Sequence, residues 1–508
     1  VLLENPRKTL FAVAALILAF RLWLSAVVPY TGDEAYFTYW GVYPDFGYYD
    51  HPPMIGWILY LLLKVSSAAW VLRLPVTLLP FALAAGVYFV LRRADEAKAA
   101  LAALAFMLLP ANVWAVLITT DIPLIFFSFV SVLAFWLGVE KKSPAWQALA
   151  GAFLGLAFLS KYFAVLLGLA YIVYTVFSPR GRRDWRGLAL VVICSLPFAM
   201  VNLWWNYEHC WTNLMFNVYN RNAGTGAGWS LKTPLLYVVS ALYLLSPIAL
   251  WQLAKGRESV RAVLGDPAKR LFALMFAFPF GFFAVLSLVK QIGLHWMLGF
   301  VPFFFVLAGW LLSREQLRQS VVYLGAFSAL HVAAIAVAMA LPLETWQKLR
   351  AYDGIVFAVR IHDVLKEVKP YQGEFALAAD GYTPAVTASF YSGKYFFVFG
   401  HGSSYARQDD IVTDLRALDG RNILVLRKNP PDDTEYRPYF KTVDYRQFTL
   451  SGATFHLVLG RGFDFDAYRR GVLDPARRRF YAIPRYLPQG RCYFCERYSG
   501  TATCPPKE

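Results

Sequence analysis

Residues 9–29 read TLFAVAALILAFRLWLSAVVP, and residues 30–36 follow at once as YTGDEAY. The first stretch can cross a bilayer as one helix, because a span needs roughly 17–25 mostly apolar residues. It is long, carries no small-residue cleavage site and is followed by further apolar runs, so it reads as a retained first helix and not as a cleaved signal peptide. The second stretch sets Asp33 and Glu34 directly at the exit of that helix, which fixes their depth. A carboxylate held there, partly desolvated, can act as a general base.

The remainder of the 508 residues repeats the apolar theme. Hydrophobic residues make up 58% and charged residues 16%, against about 25% charged in an ordinary soluble domain. This excludes a single water-soluble globule and a disordered chain. Aromatic residues at 17% fit long interfaces between water and lipid. The formal charge of +16 would suggest a nucleic-acid partner in a soluble protein. In a polytopic one it reads as topogenic charge in cytoplasmic loops.

About eleven spans are expected, near 9–29, 70–91, 99–117, 121–139, 145–160, 162–178, 188–207, 232–252, 270–289, 294–312 and 320–342. Lys and Arg gather in alternate connections: Arg7 and Lys8; Arg92, Arg93 and Lys98; Lys141 and Lys142; Arg180 to Arg186; Lys255 to Arg270; and Arg314 and Arg318. The other connections hold only Lys64, Lys161, Arg221, Lys232 and Lys290. By the positive-inside rule the N-terminus is cytoplasmic and the segment after the last span lies outside. Reading 145–178 as two short spans meeting at Ser160-Lys161-Tyr162 keeps both flanking basic loops on one side.

A transmembrane domain over 1–342, with a long first outer loop at 30–69, is thus expected to precede an outer domain over 343–508. In the latter, β-like runs at Phe375–Ala379, Tyr395–Phe399, Asn422–Leu426 and Thr454–Leu459 alternate with helix-like stretches at Ala358–Val368 and Asp410–Leu418. This predicts a small α/β domain ending in a basic, Pro/Tyr-rich tail from about residue 465. No inverted repeat of the transporter kind is evident.

Candidate chemistry concentrates in the outer connections. The first loop carries Asp33, Glu34, Asp50 and His51; Asp33 could instead only cap the helix that follows it. Asp121 of Thr119-Thr120-Asp121-Ile122-Pro123 is a good N-cap, yet it falls on the same side and at the same depth as Asp33 and Asp50, where gathered carboxylates suit a catalytic or metal site. Lys161 in an apolar run could snorkel or hold a phosphate. Lys290, His295 and Arg73 are candidates of the same kind. The glycines at 224, 226 and 228, in the segment 206–230, could form a lid. No phosphate loop or nucleotide fingerprint is present, so a nucleotide cofactor is not indicated. Cys492 and Cys495, with Cys504, could hold a structural zinc or form a disulfide on an oxidising side.

In order along the chain, Gly32-Asp33-Glu34-Ala35-Tyr36, Gly47-Tyr48-Tyr49-Asp50-His51-Pro52-Pro53, Arg73-Leu74-Pro75, Thr119-Thr120-Asp121, Gly155 to Tyr162 and Trp205-Asn206 to Trp211 resemble the GT-C membrane glycosyltransferases. The likeness is to the bacterial relatives of protein O-mannosyltransferases and of lipid A aminoarabinose transferases. Ala379-Asp380-Gly381-Tyr382 through Tyr391 is similar to that family's outer domain. The resemblance implies a bacterial inner-membrane enzyme with a polyprenyl-phosphate-linked sugar as donor and inversion at the anomeric centre. The acceptor would be a glycolipid such as lipid A, a polysaccharide or a protein. It implies Asp33 as general base and Lys161, with His51, at the donor phosphate; by their place in the outer connections Glu34 and Asp121 are further catalytic candidates, and Arg73, Lys290 and His295 further candidates for the donor phosphate. His51 replaces a lysine of the aminoarabinose transferases, which would make that contact pH-sensitive. Asp50 matches a position that binds a divalent metal in those relatives, with His209 the nearest candidate for a histidine partner.

Two other classes fit part of the pattern: a transporter or flippase of a lipid-linked sugar, and a scaffold whose outer domain binds a partner. The ionisable residues at span ends, and not deep within several spans, favour the enzyme. An Asp33→Cys variant is expected to react with a membrane-impermeant thiol reagent in intact spheroplasts. Labelling only after permeabilisation would invert the topology.

Overall fold

A computed structural model describes residues 4–179, 181, 183–222, 230–255, 257–403 and 407–504. By its contacts the chain forms two compact units, each built from separated segments. One comprises Val1–Val28, Ser66–Met200 and Gly226–Met339; the other comprises Pro29–Val65, Val201–Thr225 and Ala340–Glu508.

The first unit is helical. Among the described residues, seven helices of the chain have the length and hydropathy to cross a membrane: Pro6–Val27, Ala69–Leu91, Asp121–Lys141, Trp185–Glu208, Pro267–Leu286, Leu294–Leu311 and Arg314–Ala340. The expected spans at 145–160 and 162–178 are two separate helices, Pro144–Phe158 and Ala164–Phe177, of 15 and 14 residues. Each is about 20 Å long, short of the roughly 30 Å of hydrocarbon.

Two expected spans are corrected. The run 232–252 is a helix pair, Lys232–Leu245 and Pro247–Lys255, bent by 92° and counting as an eighth span only if taken together. Ser246 sits at φ 61° before Pro247, whose ring excludes a helical residue ahead of it. The run 99–117 is broken into two helices, Glu96–Met107 and the short Pro110–Trp114, because Leu109 leaves the helical region (ψ 133°) ahead of Pro110.

Charge inside this bundle is met by backbone. Pro80, within the helix Leu74–Leu91, has no N–H to offer the carbonyl of Val76. Arg21, 1% exposed, donates to that carbonyl (2.5 Å), to Thr77 O (3.0 Å) and to Asn112 O (2.5 Å). Arg73, fully buried, donates to Ser25 O (3.0 Å) and Val28 O (2.8 Å) at the C-terminus of Pro6–Val27. Orphan carbonyls and the negative end of the helix dipole both favour a cation there.

The second unit carries a five-stranded sheet, β1 (Ala376–Ala379), β2 (Phe397–Val398), β3 (Ile423–Arg427), β4 (Phe440–Leu450) and β5 (Ala453–Phe463), in the order β2-β1-β3-β5-β4. β1 is parallel to β2 and β3, whereas β5 is antiparallel to β3 and β4. Side chains alternate across it. Ile423 and Val425 join a core with Phe480, Tyr481 and Phe494 of the C-terminal tail. Leu424 and Leu426 join another with Val356, Ile361 and Val364. The basic tail thus covers one sheet face. β4 is absent from the expected strands because most of it is exposed, so no regular buried period marks it. Its turn to β5 is two residues, Ser451 and Gly452, both at positive φ (48° and 81°), as a tight hairpin requires.

Two early segments complete this unit. In Pro29–Val65, the helix Gly32–Val42 lies on the helix Tyr382–Ser392. Tyr30 stacks on Phe390 at 4.3 Å, Tyr36 meets Tyr382 at 5.3 Å, and a Cβ at Gly32 would fall 2.2 Å from Thr383 Cγ2. In Val201–Thr225, Asn213 donates to Tyr48 O (3.0 Å), Asn217 to Asp50 O (3.0 Å) and Asn220 to Tyr49 Oη (3.3 Å). Cys210 is disulfide-bonded to Cys492, 282 residues away, and Cys495 to Cys504. These bonds, and not a zinc, engage Cys492, Cys495 and Cys504.

Replacing Cys210 and Cys492 by serine is expected to cost about 2–5 kcal/mol. The check is faster proteolysis of the 201–225 and tail segments than in wild type under non-reducing conditions, a difference that dithiothreitol abolishes.

Candidate functional site

At the start of Gly32–Val42 the cap and the candidate base are different residues. Thr31 is the N-cap: its hydroxyl accepts from Glu34 N (3.3 Å), and Glu34 Oε2 accepts from Thr31 N (3.0 Å) and Oγ1 (3.1 Å). This capping box satisfies two orphan donors and occupies Oε2 of the buried Glu34 carboxylate. Asp33, in the same first turn, is exposed and does no capping. Its Oδ1 accepts from the hydroxyl of Tyr382 at 2.9 Å. Burial and the Asp33 charge push the Tyr382 hydroxyl up to about 12, so it stays a donor.

Asp50 is 5% exposed. The hydroxyl of Tyr36 donates to Asp50 Oδ1 (3.3 Å), and His51 Nδ1 stands 3.2 Å from Oδ2 without hydrogen-bond alignment. Burial first, then the Asp50 charge, hold the Tyr36 hydroxyl well above its ordinary range. Asp50, Tyr36, Tyr382 and Asp33 are therefore linked through side chains of two packed helices and one loop.

His209 is placed elsewhere. Its ring stacks on Trp205 at 4.3 Å, and Nδ1 meets Trp205 O at 2.8 Å. Because that carbonyl can only accept, Nδ1 carries the proton. Nε2 faces Asp45 Oδ2 at 3.8 Å, and burial lowers the ring's affinity for a second proton. His209 thus faces Asp45, while Asp50 faces Tyr36 and His51. Among the described residues, the one group of three His, Cys, Asp or Glu ligand atoms lying together is that of Cys492, Cys495 and Cys504, already in disulfides. Among the described residues, Asp50 and His209 do not complete a three-ligand metal set.

In the membrane unit, Thr120 and not Asp121 is the N-cap of Asp121–Lys141, although its side chain makes no capping bond. The Asp121 carboxylate turns instead to Lys161, whose Nζ donates to Oδ1 (2.8 Å) and Oδ2 (2.9 Å). The two side chains are 14% and 4% exposed. Lys161 occupies the break between Pro144–Phe158 and Ala164–Phe177 and does not snorkel away. Arg73 is occupied by the helix-end carbonyls described above. Lys290 lies 6.0 Å from the ring of Trp296, beside His295. The lid glycines 224, 226 and 228, and Arg180 and Arg182, lie outside the described residues.

Tyr382 and Tyr36 contact Asp33 and Asp50, contacts that sequence reading did not assign. Tyr382 stood within a motif, but nothing local links it to Asp33, 349 positions earlier.

Three comparisons bear on this arrangement. Residues 50–205 match the family model described as dolichyl-phosphate-mannose-protein mannosyltransferase. RgtD, a lipid A galacturonosyltransferase of Rhizobium johnstonii, is 26% identical over 278 residues, covering 51% of this chain and 57% of that protein. The match therefore spans little more than half the length of this curated relative. ArnT of Cupriavidus metallidurans superposes with a TM-score of 0.57 at 16% identity in its apo state. Its undecaprenyl phosphate complex gives 0.59 at 14%, and each match covers 88% of this chain and 97% of that one. At such identities the likeness is one of fold. The resemblance to the GT-C membrane glycosyltransferases holds, and the chain is a multi-pass membrane protein with an ArnT-like helical fold and a C-terminal sheet region.

Removing one partner of a buried ion pair strands the other charge, at about 3–5 kcal/mol. Asp121→Asn or Lys161→Met alone should therefore lower the melting temperature in detergent more than the double variant does. Additive losses would show that the two side chains do not interact.

Proposed function

We propose that the chain is an inverting glycosyltransferase that moves a sugar from a polyprenyl-phosphate donor to an acceptor hydroxyl on the outer face of a bacterial inner membrane. The acceptor is a glycolipid such as lipid A, a polysaccharide or a protein; the relative named a lipid A galacturonosyltransferase favours the first. The ArnT fold, known with undecaprenyl phosphate, supports the donor class. Lys/Arg placement supports the sidedness, and two disulfides fit an oxidising compartment for the second unit.

The observation that carries the reading is Asp33, a carboxylate at a helix start that is free of capping, exposed, and oriented by one tyrosine. In a single displacement the acceptor oxygen bonds to the anomeric carbon as the bond from that carbon to the phosphate oxygen breaks. The acceptor proton passes to Asp33, and the polyprenyl phosphate leaves with the bonding pair. A phosphate is a good leaving group, so activating the hydroxyl is the larger task, which suits a general base. Tyr382 orients the carboxylate through Oδ1 and leaves Oδ2 for the acceptor. In the membrane unit, Lys161 is the candidate for the donor phosphate. Asp121 takes up part of its hydrogen-bonding capacity and fixes its position, while a third N–H remains available.

Asp33→Asn is expected to lower transfer from polyprenyl-phosphate sugars in proteoliposomes by about 10²–10⁴-fold with the fold intact. Tyr382→Phe should cost about tenfold in kcat without changing the donor KM, since it removes an orienting hydrogen bond alone. Near-wild-type turnover of Asp33→Asn would remove Asp33 from the reaction.

A further inference from the structure

The C-terminal sheet holds a cleft that the transfer chemistry above does not use. From β1 the chain passes through the helix Tyr382–Ser392 to β2 on one side, while β3 lies on the other side of β1, parallel to both neighbours in the order β2-β1-β3. The sheet therefore has a switch point between β1 and β3, and in sheets of this kind ligands bind in the crevice beyond the carboxyl ends of such strands. A cavity of about 640 Å³ opens there, within the roughly 300–1,000 Å³ usual for small-molecule sites.

Its walls come from the residues that follow the three parallel strands: Asp380 after β1, Phe399 and Gly400 after β2, and Arg427 at the end of β3. Tyr436 and Tyr439 close it from the segment before β4. Asp380 is half-buried, and that burial raises its carboxyl above the ordinary range, with Arg427 opposing the shift. Arg427, 8% exposed, is locked by Tyr436 Oη (2.7 Å), Asn429 O (2.8 Å) and the Glu435 carboxylate, with Asp380 Oδ2 3.8 Å from Nε.

A carboxylate, a held guanidinium, hydroxyls and aromatic faces in one concave site suit a sugar ring. Hydroxyl pairs can bond the carboxylate and guanidinium, and the apolar ring face can pack on an aromatic. Tyr382 and Thr383 also line the cavity. Tyr382 donates to Asp33, and Thr383 is the residue against which Gly32 packs. The cleft thus shares a wall with the turn that carries the proposed base.

We infer that this cleft is a saccharide-binding subsite that holds a sugar ring of the acceptor next to Asp33. The assignment to the acceptor rests on the transferase reading; the binding of a saccharide does not. The test is titration of the full-length protein in detergent with glucosamine disaccharide, galacturonic acid and mannose, followed by calorimetry and by saturation-transfer NMR. At least one of these should bind wild type. Asp380→Asn should weaken it by about tenfold or more, as the loss of one charge-assisted hydrogen bond requires. Thr434→Trp, an exposed wall position, should occlude the cleft and abolish binding without unfolding. Asp33→Asn should keep binding while losing transfer. Binding by none of the three sugars, or binding unchanged in both Asp380→Asn and Thr434→Trp, would overturn the subsite. Sugar binding with these sensitivities but no transfer from any lipid-linked donor would leave the subsite standing and sink the transferase reading instead.

Discussion

The close approach of two helix starts governs the second unit. Gly32 lies against Thr383 with no room for a β-carbon, and that contact brings the first turn of Gly32–Val42 over the first turn of Tyr382–Ser392. Once the two turns are in contact, Tyr382 can reach Asp33 and also form the wall of the switch-point cleft. Aromatic pairs along the same seam, Tyr30 on Phe390, Tyr36 on Tyr382 and Tyr39 on Tyr395, each add about 0.5–1.5 kcal/mol beyond their area and resist sliding. The seam is what turns an exposed carboxylate into an oriented one.

Division of labour among neighbouring polar residues recurs through the molecule. At Thr31–Glu34 one carboxylate closes a capping box, and the one before it does no capping and accepts from Tyr382. At Thr120–Lys161 the carboxylate that could have capped a helix is used to hold a lysine. At Arg21 and Arg73 two guanidiniums go to carbonyls that a proline or a helix end has left unpaired. In an apolar bundle each such group must find its partner inside the protein, because water is not there to serve. Charge therefore marks either a structural obligation or a functional site, and the hydrogen-bond partners tell the two apart. Glu34, Arg21 and Arg73 each meet backbone groups, whereas Asp33 meets a tyrosine hydroxyl.

Much of the helical architecture was legible along the chain, because a span is a local property: a run of apolar residues of sufficient length needs no knowledge of its neighbours. The break at Ser160-Lys161-Tyr162 followed from charge placement, and β1, β3 and β5 from short β-branched and aromatic runs. The departures are local in cause but hard to weigh in advance. Pro110 and Pro247 interrupt apolar runs, and β4 is a strand made by pairing with β5 while most of its side chains are exposed.

What the sequence determined by itself was the set of apolar helices, an acid-bearing turn after the first of them, and an α/β segment at the end. The pattern Thr31-Gly32-Asp33-Glu34 already contains the capping box, since its partners are three residues apart. Tertiary structure alone decided that Asp33 meets Tyr382, that Cys210 joins Cys492, that Asp121 holds Lys161, and that the loop before β4 closes a cleft over β1 and β3. Each of these pairs residues tens to hundreds of positions apart. Such contacts form only when packing has overcome the entropy of closing the chain between them, and no local pattern of residues records that choice.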